Sequence, residues 1–204
     1  FHLPIFRRII YDIPTDDETD QEHSLPLNLQ CLFYNLQIAK STCSTKMLTT
    51  SLGFERNDVF YQQDIEEFIK KIITTLDDTL KKIPNMKDRI SSVFEGKTIQ
   101  LIKDTSLKEL SQSEDIFFDV SVDVKSSLED SLKRFTKAEH IPDYTSSSSP
   151  RPQPVTYQTF FLHLPQVLFI YIKRYKYNLA LNLAEKIDSK MTYSEDLDMA
   201  PYMY

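Results

Sequence analysis

The chain has 204 residues, is 41% hydrophobic and carries a formal net charge of −6, enough length for a sizeable core in one domain or a large part of one. The charge has the wrong sign for a nucleic-acid binder, whose basic stripe dominates its surface, and suits a basic partner instead. Gly53 and Gly96 are its only glycines, which excludes the glycine-rich phosphate loops of kinases, P-loop enzymes and dinucleotide-binding folds. Neither an apolar run long enough to span a membrane nor a charged start followed by an apolar leader is visible. Two cysteines build no disulfide framework, so a reducing location, the cytoplasm or the nucleus, is expected.

The opening FHLPIFRRIIYDIPT sets Ile5, Phe6 and Ile9 at near-helical spacing and ends at Pro14, and the acidic DDETDQE at 16–22 reads as a solvated loop. Ser24 offers an N-cap with Pro26 in the first turn, predicting a helix to about Ala39. Its core face is Leu25, Leu29, Leu32, Phe33 and Leu36, with Cys31 as a small residue beside it. TKMLTTSLGF, Thr45 to Phe54, predicts a short helix and a turn at Gly53.

The strongest helix opens within YQQDIEEF, Tyr61 to Phe68. Ile65, Phe68, Ile69, Ile72, Leu76, Leu80 and Ile83 form its apolar stripe. Asp64, Glu67 and Lys71 project from one flank, three and four residues apart, with Asp64 in the first turn. Such carboxylates either favour the helix dipole by a few tenths of a kcal/mol (about 0.3 upward) or grip a cation.

Beyond Pro84 strands are expected, first VFEGKTIQLI at Val93–Ile102 and then DIFFDVSVDV at Asp115–Val124. In the second, Phe118, Val120, Val122 and Val124 share one face and Asp119, Ser121 and Asp123 the other. Ser126 with Glu129 predicts a capping box before Leu128, Leu132 and Phe135, in a helix ending at His140. Residues 142–154, rich in serine and proline, read as a mobile surface loop. TYQTFFLHLP and VLFIYIKRYKY read as central strands, and SEDLDM as a solvated turn.

Nucleophilic chemistry needs a thiolate beside an imidazole, with donors for the oxyanion. Cys31 and Cys43 offer no such setting: the first sits by a core face, the second in the polar stretch STCST. His2, His23, His140 and His163 show no ligand spacing, so neither a catalytic residue nor a metal ligand is assigned to this chain.

YQQDIEEF, followed downstream by LPQVLFIYIKRY at Leu164–Tyr175, resembles the catalytic domain of the ubiquitin-specific proteases, the papain-like cysteine deubiquitinases. The likeness is greatest to the zinc-free members, such as the herpesvirus-associated ubiquitin-specific protease. It implies an α+β fold, a partial papain-like cysteine hydrolase of the ubiquitin-specific protease type. Residues 1–204 are then one incomplete catalytic domain, with a mainly helical thumb portion at 1–90 and antiparallel finger and palm strands at 91–204. Ubiquitin is the implied partner, with Gln62, Asp64, Glu67 and Tyr175 contacting it and Asp64 gripping its arginine-bearing tail. Lys173, Arg174 and Tyr175 match the family's Lys-Arg-Phe signature. The family's Gly-x-x-Cys-Tyr and Gly-His-Tyr boxes are not in the sequence, so the chain by itself is expected to be inactive. No cofactor is implied, and neither finger position carries the Cys-x-x-Cys pair of the zinc-binding members. The alternatives are a non-catalytic ubiquitin-binding scaffold derived from the same fold and an unrelated α+β interaction domain.

Overall fold

Proline in the first turn, with Phe6, Ile9 and Ile10 recurring on one face, starts α1 (Pro4–Asp12). The computed structural model describes residues 1–16, 20, 22–54, 64–146, 149–179 and 182–204. It divides into two units, Phe1–Val93 and Phe94–Tyr204.

The first unit is helical. Ser24 caps α2 (Leu25–Ile38) by accepting from the Leu27 amide, as the sequence predicts. Phe33, fully buried, meets the edges of Phe1, Phe6 and Tyr11, and the Arg7 guanidinium lies 5.0 Å over its ring. Gln30 donates to the carbonyls of Ile10 and Ile13, giving partners to the end of α1. Two expectations for α2 need correction. Leu36 is 48% exposed, as is its neighbour Ile38 at 58%, so among the described residues the stripe is covered only as far as Phe33. Cys31 is exposed rather than set against the core, because it falls off the face shared by Leu25, Leu29 and Leu32.

After α3 (Lys46–Ser51) the chain turns at Gly53, whose φ of 77° is the left-handed value that glycine adopts without steric cost. Next comes α4 (Ile65–Leu80), which buries Ile72, Ile73, Leu76 and Leu80. Ile65, placed on the stripe by periodicity, is 59% exposed, and the buried Ile73 was not anticipated. Arg89 donates to Asp12 at 3.1 Å, tying the end of this unit to α1.

Val93 and Phe94, expected to begin a strand, instead close the short α5 (Ser91–Phe94), and β1 runs Gly96–Asp104. Strand β2 (Glu109–Phe117) pairs antiparallel with β1, and Gly96 faces Phe117. A Cβ at Gly96 would run into the tip of the Phe117 ring, so the ring occupies the space that any other side chain would need. The segment read as one strand at Asp115–Val124 is two. It breaks at Phe118, and β3 (Asp119–Asp123) joins a different sheet. Val120 and Val122 are buried as the alternation predicts, whereas Ile116 is 60% exposed on β2.

Ser127, not Ser126, caps α6 (Leu128–Phe135) by accepting from the Asp130 amide, while the Ser126 hydroxyl donates to the Asp130 carboxylate at 2.5 Å. This helix ends at Phe135, and His140 lies in β4 (Glu139–Ser146). Among the described residues of the loop expected at 142–154 the chain is strand: β4 pairs with β5 (Ser149–His163), and Ile141 faces Val155. Its serines and prolines concealed the pairing. A strand's amides alternate between its edges, so Pro150, Pro152 and Pro154 withhold donors along one edge only. Pairing of β5 with β1 ends at Val155, so these prolines fall where β4 is the remaining partner.

The four-stranded antiparallel sheet has the order β2-β1-β5-β4, with β1 and β5 central. A second pair, β3 with β6 (Phe169–Lys173), is parallel. An antiparallel ribbon joins β7 (Tyr175–Asn178) to β8 (Leu183–Lys186). Phe161 lies at the centre of the second unit's core with Val120, Val122, Leu132 and Tyr202.

Tyr202, in a 3-10 turn at Ala200–Tyr202, donates its hydroxyl to the Glu129 carbonyl at 3.2 Å. Burial, then the charges of Glu129, Asp130 and Asp198, raise its pKa above the ordinary tyrosine value. A raised folded pKa means the neutral phenol's contribution is full below the unfolded pKa and is lost as pH rises through the folded one. Tyr202→Phe should therefore cost about 0.5–1.5 kcal/mol at neutral pH. It should also flatten the loss of stability at alkaline pH, which denaturant midpoints compared at neutral and alkaline pH would reveal. Equal alkaline slopes in the two proteins would refute the role given to this hydroxyl.

Candidate functional site

Asp64 stands at the N-cap of α4, one position before the helix, and its carboxylate accepts from the Glu66 amide at 2.8 Å. This is what a short carboxylate does at an extended N-cap backbone, here φ −74° and ψ 128°. Glu66 and Glu67 follow in the first turn, where the exposed amide ends favour negative charge. Asp64, Ile65 and Glu67 are all exposed. The outcome is an acidic, solvent-facing helix start whose first carboxylate is held by the backbone.

One turn on, an aromatic clasp holds this end of the helix. Phe54, directly after the Gly53 turn, sets its ring 6.0 Å from that of Phe68, and the Lys71 ammonium lies 4.4 Å over the Phe54 ring. Lys71 also stands four residues after Glu67, the favourable order for an ion pair along a helix. No such pair forms among the described residues: Glu67 has neither an ion pair nor a side-chain hydrogen bond there. The energies make the choice intelligible. An exposed cation–π contact is worth about 0.5–1 kcal/mol, against roughly 0.3–0.5 kcal/mol for an exposed i, i+4 ion pair.

Of the four residues assigned to ubiquitin contact, Asp64 and Glu67 therefore come together on one helix. Gln62 lies outside the described residues. Tyr175 belongs to the second unit, opening β7 opposite Lys186. It is 59% exposed. Arg174 is fixed by donating to the carbonyls of Ile187 and Ser189 at 3.2 and 3.1 Å. Strand alternation then turns Tyr175 the other way, onto the same face as Tyr177, which is 55% exposed and donates its hydroxyl to Asn182.

Neither thiol is paired with an imidazole among the described residues, and all four histidines are exposed. His23 interacts with the Asp20 carboxylate at 2.8 Å, which raises the imidazole pKa and lowers that of Asp20. Among the described residues no group of three or more His, Cys, Asp or Glu is arranged to hold a metal ion, and no helix is long and apolar enough to cross a membrane. The features sequence reasoning missed are Phe54 and the destination of Lys71. An aromatic residue after the turn glycine, and a lysine four residues beyond Glu67, were the available signals.

A family model described as ubiquitin carboxyl-terminal hydrolase matches residues 1–204. Ubiquitin C-terminal hydrolase 12 of Arabidopsis thaliana is 28% identical over 203 residues, covering 98% of this chain and 18% of that protein. Ubiquitin carboxyl-terminal hydrolase 15 of Schizosaccharomyces pombe is 29% identical over 207 residues, covering 100% of this chain and 18% of that protein. The chain thus spans less than a fifth of the length of these relatives. Among solved structures, a SAGA DUB module of Ubp8, Sgf11, Sus1 and Sgf73 bound to monoubiquitin matches with a TM-score of 0.83 at 23% identity, over 99% of this chain and 49% of that one. A second SAGA DUB module gives 0.79 at 22% identity, over 100% of this chain and 49% of the other. These two likenesses show a shared α+β fold.

Proposed function

The chain belongs to the ubiquitin carboxyl-terminal hydrolase family, and from that premise we propose that it supplies the ubiquitin-recognising part of a cysteine-type deubiquitinase. The family match along all 204 residues carries this reading. The exposed carboxylates at the start of α4 and the exposed Tyr175 are compatible with it. A carboxylate accepts two parallel bonds from a guanidinium, so Asp64 and Glu67 have the chemistry to hold an arginine-bearing tail. Tyr175, in the second unit, has an aromatic face beside a polar tip that suits contact with a peptide, and Gln62 has an amide. The partner is ubiquitin, free or on a protein, as it is for the solved relative bound to monoubiquitin.

In the reaction the intact protein carries out on this reading, a cysteine thiolate attacks the carbonyl at the ubiquitin C-terminus. The lysine amine or thiol leaves after accepting a proton, and water hydrolyses the resulting thioester. Cys31 and Cys43 do not serve as this nucleophile, for neither has an imidazole partner among the described residues. We place the chain in the zinc-free branch of the family, since neither finger position holds a cysteine pair, and in the cytoplasm or nucleus. The unpartnered thiols also suit a non-catalytic ubiquitin-binding scaffold.

Two measurements on the 204-residue chain test the proposal. It should bind monoubiquitin in a titration followed by NMR, yet neither turn over a fluorogenic ubiquitin substrate nor be captured by ubiquitin carrying a thiol-reactive terminus. Absence of binding would remove the ubiquitin reading, and covalent capture at Cys31 or Cys43 would overturn the assignment of both thiols. Hydrolysis by the intact protein then separates the enzyme from the scaffold.

A further inference from the structure

We infer that Phe54 is a positioning residue for cation recognition at the start of α4: by holding Lys71 over its ring it keeps the Glu67 carboxylate from being neutralised within its own helix. This rests on the proposed role of Glu67 in gripping a cationic peptide. The geometry is particular to three side chains. Glu67 and Lys71 are one turn apart in the order that favours an ion pair, yet the ammonium sits 4.4 Å over the Phe54 ring. Glu67 is exposed and has no partner among the described residues. Phe54 is itself seated against Phe68 at 6.0 Å, between Glu67 and Lys71 in the helix sequence, so the ring is held where the lysine can reach it.

The consequence is electrostatic. A lysine free to swing back would compete with an incoming guanidinium for the same oxygens, and binding would then first have to break that internal pair. Held over the ring, Lys71 leaves both oxygens of Glu67 open to the ligand while its aliphatic stem stays on the helix surface. Phe54 thereby sets the strength of recognition without touching the partner.

Monoubiquitin affinity of the intact protein, measured by calorimetry at low salt, tests this with Glu67→Gln, Phe54→Leu, Lys71→Met and the Phe54→Leu/Lys71→Met double variant. Glu67→Gln should weaken binding about tenfold. Phe54→Leu should weaken it about twofold, because Lys71 is released onto Glu67. That loss should vanish when Phe54→Leu is introduced into the Lys71→Met background, a rescue that a merely structural role for the ring would not produce. If Glu67→Gln has no effect, the underlying assignment of Glu67 fails and the inference with it. If Glu67→Gln weakens binding but Phe54→Leu does nothing, or costs the same with and without Lys71, the recognition reading stands and the inference about Phe54 is overturned.

Discussion

Replacing Asp64 with Asn should weaken ubiquitin binding by the intact protein roughly ten- to hundredfold while leaving the helix in place. The two outcomes can be separated because of where Asp64 stands. At the N-cap its side chain accepts from the Glu66 amide, and Asn is as good a cap as Asp. The substitution therefore keeps the cap and removes the charge that a guanidinium would meet. Asp64→Ala removes both, and should add a stability loss of about 0.5–2 kcal/mol. Calorimetric affinity and thermal unfolding measured on each variant decide the matter. Unchanged affinity in Asp64→Asn, with lowered stability in Asp64→Ala, would reduce Asp64 to a helix cap.

The largest stability effect should come from Phe161→Ala, at about 3–5 kcal/mol. Phe161 is fully buried on the central strand β5, its ring 5.4 Å from Phe135 on α6 and 5.8 Å from Phe117 at the end of β2. Truncation thus opens a cavity between a helix, two strands and the C-terminal segment, whose Tyr204 amide bonds to the Phe161 carbonyl. Against a total domain stability of about 5–15 kcal/mol, that loss leaves little margin. Urea unfolding followed by circular dichroism should show the midpoint fall sharply. A loss below about 1 kcal/mol, far under the range for a buried aromatic ring, would mean the core is not organised around this ring.

The longer helices of the first unit, α2 and α4, were readable because each combines a side-chain cap with an apolar face of helical period. Ser24 with Leu25, Leu29, Leu32 and Phe33 is the clearest case. What periodicity could not supply was the extent of cover, so Leu36 and Ile65 look buried in sequence and are exposed in space. Strand partners were less accessible still. Alternation runs unbroken across Phe118 although the chain changes sheets there, since period two records which face is apolar and not which strand lies alongside. The β4 and β5 hairpin was hidden by a composition that signals loops, yet backbone pairing requires only that prolines avoid the bonded edge. At the candidate site, Asp64 and Glu67 stood out through the resemblance that YQQDIEEF carries. The clasp of Phe54 and Lys71 did not, because choosing between two weak partners for one ammonium depends on where a distant ring is placed.

The break at Phe118 ties two alignments together. Strand β2 is exposed along its length as far as Phe117, so apart from that ring its own side chains do little to fix how it slides along β1. One residue separates it from β3, whose Val120 and Val122 are buried opposite Ile170 and Ile172. A one-residue slip of β2 would have to be absorbed at Phe118 or carried into β3, turning both valines out of the core. The second sheet thus acts as a latch on the first, and an outer strand free to vary in sequence up to Phe117 keeps its place through that one ring and through an anchor beyond its own end.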